Sequence, residues 1–148
     1  MAKSTLELTL VQVETRKGKG KGKGMRNNAQ GLGTRVLNKK SKMSLAVMVY
    51  IHGGAYFTGT SYEFSPYVLM NEDIILVTIQ YRLGILGFLS TEDEILPGNM
   101  GLKDQQLALK WVQQNIECFG GDPNLVTIFG GSSGGSSVHL QMLSPGSR

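Results

Sequence analysis

At 148 residues and 41% hydrophobic content, the chain is long enough to bury a core of its own. No apolar run approaches the ~20 residues of a membrane-spanning helix, the lone Cys118 excludes an internal disulfide, and no Asn-x-Ser/Thr acceptor is present. The net charge of +4 is unevenly spread, with +9 on residues 1–43 and −5 on residues 44–148.

Residues 1–15 are expected to contain one strand, because Thr5 to Val13 alternates apolar and polar side chains. Glu7, Gln12 and Glu14 interrupt this stretch, so it does not read as the apolar core of a secretory leader. With a single cysteine, that leans toward a reducing, cytoplasmic compartment. Residues 16–43 follow as a basic low-complexity linker in which lysine alternates with glycine ("RKGKGKGKGMR"). Like charges repel and glycine raises the entropy cost of ordering, so the linker is expected to be disordered. No aromatic side chains interleave with these lysines to stack on bases, which argues against a nucleic-acid partner.

From residue 44 onward the pattern changes. "LAVMVYI" (45–51), "IILVTIQY" (74–81) and "NLVTIFGG" (124–131) are short and rich in β-branched residues, as expected of strands buried on both faces. Between the last two, Leu107, Ala108, Trp111, Val112, Ile116 and Phe119 recur at helical spacing, and Gly120-Gly121 supplies a stop. A further helix starts within "SSGGSSVHLQML", and Pro145 stops it. Strand, strand, helix, strand, helix specifies an α/β domain over 44–148 with a mostly parallel central sheet and flanking helices.

The densest signal is Gly130 to Ser137, in which four glycines alternate pairwise with four serines directly after an apolar strand. A flexible linker has no reason to be flanked by "LVTIF" and "VHLQML". A phosphate cradle would need Gly-x-Gly-x-x-Gly or a glycine-rich loop ending in Lys-Ser/Thr, and neither is present; "GAYFTGTS" has Thr60 where the lysine belongs. A strand-to-helix bend of the Gly-x-Ser-x-Gly kind fits, since only small residues pass so tight a turn while one serine is left exposed. Two registers satisfy it, one centred on Ser132 and one on Ser133, and spacing does not choose between them. A second glycine pair, "HGGAY" (52–56), closes an earlier strand where N–H donors for an oxyanion are needed.

The stretches "VMVYIHGGAYFTG", "ILVTIQYRLGILGFLST", "PGNMGLKDQQLALKWVQQNIECFGGDPNLVTIFG" and "GGSSGGSSVHLQMLSP" resemble the type B carboxylesterases, a family of α/β-hydrolases. The resemblance covers about two thirds of the chain and implies a partial α/β-hydrolase fold. It implies that Ser132 is the nucleophile of an acyl-serine mechanism. Gly54, Ala55 and Ser133 would be the oxyanion-hole donors, and no metal or cofactor would take part. The implied substrate is a small carboxylic ester, and Tyr56 and Phe57 would favour lipophilic ones, although both equally suit packing at a sheet edge.

The chain also departs from the family pattern. Gly131 stands where the family has Glu, and Ser133 where it has Ala. The stretch usual before the glycine-pair loop is replaced by the basic linker. The triad Glu and His belong well downstream of the nucleophile and are not in this chain, which is therefore expected to be a fragment, inactive alone. His139 lies about 10 Å along a helix from Ser132 at 1.5 Å per residue, and His52 leads the glycine loop; neither is expected to serve as the base. The alternative reading is a non-catalytic binding module on the same fold. Oligomeric state is not legible.

Overall fold

The computed structural model describes residues 11–15, 44–63 and 65–147. The expected linker at 16–43 and the first part of the expected N-terminal strand lie outside the described residues. Four strands form one sheet: β1 (Val11–Thr15), β2 (Leu45–Ile51), β3 (Ile74–Ile79) and β4 (Gly121–Gly130), in the order β1-β3-β2-β4. β2 runs parallel to both β3 and β4, and β1 pairs antiparallel with β3. Three helices accompany them: α1 (Gly84–Phe88), α2 (Met100–Asn115) and α3 (Ser133–Leu143).

The core follows from the two periodicities. Val47, Val49 and Ile51 on β2 and Ile75, Val77 and Ile79 on β3 are alternate residues, so they share one face of the sheet, and all are fully buried. Ala108, Val112 and Ile116 descend one stripe of α2 and the turn after it, and they pack on that face. Burying each Val or Ile contributes roughly 1.5–3 kcal/mol. α3 lies on the same side, because Gln105 Nε2 of α2 donates to Ser137 Oγ of α3 at 3.1 Å.

Two expectations are corrected. β2 is not buried on both faces: Ala46, Met48 and Tyr50 on its opposite face are only half-buried, since α2 and α3 both cover the other side, whereas on β3 Leu76 is buried on that face too. The last strand starts at Gly121 rather than after Pro123, because Gly121 pairs with Leu45 before a bulge takes up residues between there and Val126, opposite Val47. The short α1 was not read from the sequence. A bidentate pair ties the segment after β3 to α2: Arg82 Nε and Nη2 each donate at 2.7 Å to the Asp104 carboxylate, and the Arg82 amide adds a third bond at 3.1 Å. No helix of the described residues is long and apolar enough to cross a membrane.

Candidate active site

β4 ends at Gly130, and α3 begins three residues later. Between them Ser132 takes φ 53° and ψ −124°, a region that non-glycine residues rarely enter. The bend closes at once: Gly134 N–H donates to Gly131 O at 2.8 Å and Ser136 N–H to Ser132 O at 3.0 Å. Ser132 is left exposed, while Ser133 is buried in the first turn of the helix.

Sterics separate the two registers left open by spacing. A Cβ at Gly130 would lie 2.5 Å from the Ile51 carbonyl oxygen, and one at Gly134 would lie 2.1 Å from the same atom. These glycines flank Ser132, and side chains there would collide with β2. A Cβ at Gly131 would meet nothing within 4 Å. The bend is thus built around position 132, and position 131 has room for a larger residue.

The "HGGAY" stretch leaves β2 beside this bend. A Cβ at Gly53 would stand 2.8 Å from Gly131 O and 3.3 Å from Ser132 Cβ, so the absence of a side chain there lets the two turns touch. Gly54, Ala55 and Tyr56 then take φ of 105°, 54° and 63° in succession. Successive left-handed residues turn their N–H groups into a concave strip suited to negative charge. The loop is held from within by Phe57 N–H and Thr58 N–H, both 3.0 Å from Gly54 O, and from α1 by Gly84 N–H, 2.6 Å from Tyr56 O. Exposed Phe57, Ile85 and Leu86 border it.

Behind the two turns lies a cluster of polar groups in which sequence reasoning missed Tyr81, Gln105 and Ser137. Tyr81 Oη donates to His52 O at 2.8 Å, and its ring stacks on the His52 ring at 4.4 Å and 17°. His52 is fully buried, and its Nδ1 donates to Gly53 O at 2.8 Å. Ser137 Oγ, which accepts from Gln105, lies 3.4 Å from Tyr56 Oη. Ser133 Oγ approaches the Tyr81 phenol but makes no hydrogen bond of regular geometry. Burial above all, with the Tyr56 phenol next, pushes the Tyr81 pKa up to about 12, the Ser133 contact opposing. Tyr81 is therefore a neutral donor at ordinary pH. The only signal in the sequence was its place at the end of an apolar run.

Neither histidine meets Ser132 as a base would. His52 is committed to Gly53 and Tyr81, and His139 is exposed on α3. Among the described residues no group of three or more His, Cys, Asp or Glu could hold a metal ion. A cavity of about 530 Å³ opens elsewhere, between α2, β4 and the end of α3, and no residue of either turn lines it.

The sequence profile of the carboxylesterase family matches residues 25–148. The chain belongs to the carboxylesterase family. It is 54% identical over 119 residues to juvenile hormone esterase of Tribolium castaneum, covering 79% of this chain and 20% of that protein. It is 59% identical over 103 residues to esterase FE4 of Myzus persicae, covering 69% and 18%. Acylcarnitine hydrolase of Mus musculus is 56% identical over 103 residues, again covering 69% and 18%. Among solved structures, juvenile hormone esterase from Manduca sexta with OTFP covalently attached superposes with a TM-score of 0.68 at 42% identity, covering 70% of this chain and 20% of that one. The likeness extends to the α/β-hydrolase fold. The chain spans about a fifth of the length of these relatives.

Proposed function

We propose that this chain carries the nucleophile and the oxyanion-binding loop of a carboxylic ester hydrolase. Ser132 attacks the ester carbonyl. Gly54, Ala55 and Ser133 offer N–H groups to the oxygen as it becomes negative, and water later releases the acid from the acyl-serine. Each such donor is worth ~10²–10³ in turnover where it has been removed from other enzymes. The observation that carries the reading is the exposed, positive-φ Ser132 in contact with the glycine loop of β2. Family membership points to the same chemistry.

The preferred substrates are uncharged lipophilic esters. Phe57, Ile85 and Leu86, each at least 72% exposed, supply an apolar border to the loop. An alkyl or acyl chain laid across this border would bury area at roughly 25 cal/mol per Å².

A serine hydroxyl without a base is a poor nucleophile. These residues alone are therefore expected to turn over p-nitrophenyl butyrate slowly and to react slowly with a fluorophosphonate. Supplying the base from solution separates a missing base from a wrong nucleophile. With imidazole added, fluorophosphonate is expected to modify Ser132, as located by peptide mass, and Ser132→Ala is expected to abolish the adduct. An adduct on Ser133, or scattered over other serines at equal rates, would sink this assignment.

A further inference from the structure

The backbone ladder between β2 and β3 ends at Ile51 opposite Ile79. Two residues further on, a side chain continues it: Tyr81 Oη donates to the carbonyl of His52, the residue that opens the glycine loop. Tyr81 is 3% exposed, and its stacking on the His52 ring leaves the phenol little freedom to swing away. His52 in turn holds Gly53 O through Nδ1, and Gly53 rests against Gly131 and Ser132. The same phenol adjoins the otherwise unpartnered Ser133 Oγ in the first turn of α3. One hydroxyl thus touches the foot of the loop and the helix that follows the bend.

Consecutive left-handed residues such as Gly54, Ala55 and Tyr56 persist only where the surroundings over-determine them. The tip of the loop has its own bonds to Gly54 O and from Gly84; its foot is gripped by Tyr81. We propose that the Tyr81 hydroxyl is a positioning group: through the His52 carbonyl it sets where Gly54 and Ala55 present their N–H groups to Ser132. This rests on the assignment of Ser132 and the loop donors above. Tyr81 itself touches no substrate. A purely structural tyrosine would act through ring packing, which phenylalanine also supplies.

The test is Tyr81→Phe in the full chain, followed by amide hydrogen exchange. Phe57 and Thr58, whose amides bond to Gly54 O, report on the loop, and Ala108 and Val112 in α2 report on the fold. Losing one buried hydrogen bond is expected to speed loop exchange by about tenfold and leave α2 unchanged. Para-aminophenylalanine at position 81, which keeps an N–H donor at the same place, is expected to restore protection. Unchanged loop exchange in Tyr81→Phe, or equal acceleration of loop and α2, overturns the proposal. A second arm compares imidazole-assisted phosphonylation at Ser132. The rate constant is expected to fall in Tyr81→Phe with the half-saturating probe concentration unchanged. An equal rate in both proteins overturns the link to the site. If the parent chain never labels at Ser132, the assignment of that serine fails instead, and hydrogen exchange still decides what the phenol does.

Discussion

Ser132 and its flanking glycines hold opposite kinds of backbone demand. Ser132 occupies a strained region at a cost of order 1–3 kcal/mol, whereas Gly130 and Gly134 are small because β2 comes too close. Ser132→Gly relieves the strain and adds ~0.4–1 kcal/mol of freedom to the unfolded chain. The strain term is the larger, so the variant is expected to be more stable by about 1 kcal/mol in urea unfolding while losing every modification at that position. Gly134→Ala forces a methyl to within 2.1 Å of the Ile51 carbonyl oxygen. Overpacking of this kind costs about 1–3 kcal/mol, and here it should reach the upper end because backbone, not a flexible side chain, must yield. Gly131→Ala meets open space and is expected to change stability by less than ~0.5 kcal/mol. If the costs of the Gly131 and Gly134 variants come out reversed, the bend is centred elsewhere. Tyr81 adds a pH dependence. Its folded pKa of about 12 lies above the ordinary 10. The stabilising contribution is therefore complete below pH 10 and is lost as pH rises from there through about 12. Burial also raises the Tyr50 phenol, so phenolate absorbance should show a late-titrating component at about 12 that disappears in Tyr81→Phe while that of Tyr50 stays.

At the scale of elements, Asp104 shows how a buried charge can fix a connection. It is 2% exposed and accepts from the Arg82 amide and from two guanidinium nitrogens. The hydrogen bonds that the Arg82 guanidinium donates to the Asp104 carboxylate hold the Arg82 pKa above its ordinary range. Removing one partner of a buried pair typically costs 3–5 kcal/mol, but the Arg82 side chain is 32% exposed and water can solvate it. Asp104→Ala is therefore expected to cost about 2–3 kcal/mol, read as a lower urea midpoint at constant slope. A midpoint unchanged within error would mean that the pair is dispensable. The elements differ in how legible they were. β2 and β3 were readable as short apolar runs rich in β-branched residues, α2 from a repeat of 3.6 residues that persists along it, and α3 from the glycine-serine start and Pro145 that bracket it. The five-residue α1 is too short to show a period, and its glycines at 84 and 87 argue locally against a helix. The bulge in β4 depends on where Gly121 finds Leu45 across the sheet, a relation that no local window contains. Ser132, Gly54, Ala55 and Ser133 could be named from two glycine-rich motifs. Tyr81 and Ser137 could not, because what marks them is proximity to residues dozens of positions away.

Across the whole molecule, β4 has one strand neighbour among the described residues, β2, and its other edge carries unpaired backbone groups. Leu125 on β4 and Leu140, Met142 and Leu143 on α3 are all more than 40% exposed. An uncovered edge beside apolar side chains recruits other strands. The chain by itself is expected to associate as its concentration rises, and Thr127→Lys, placing a charge on an exposed β4 position, is expected to suppress this in light scattering. Association that the lysine leaves untouched would locate the contact on another surface.

The meeting of Gly53 with Ser132 joins residues 79 positions apart, and the two parallel strands that bring them together are separated by all of β3, α1 and α2. Such distant pairings form slowly, because a long loop must close before any contact rewards it. During synthesis the glycine loop would emerge well before its counterpart, so the reactive geometry arises late in folding, after the chain has already committed to the rest of its architecture.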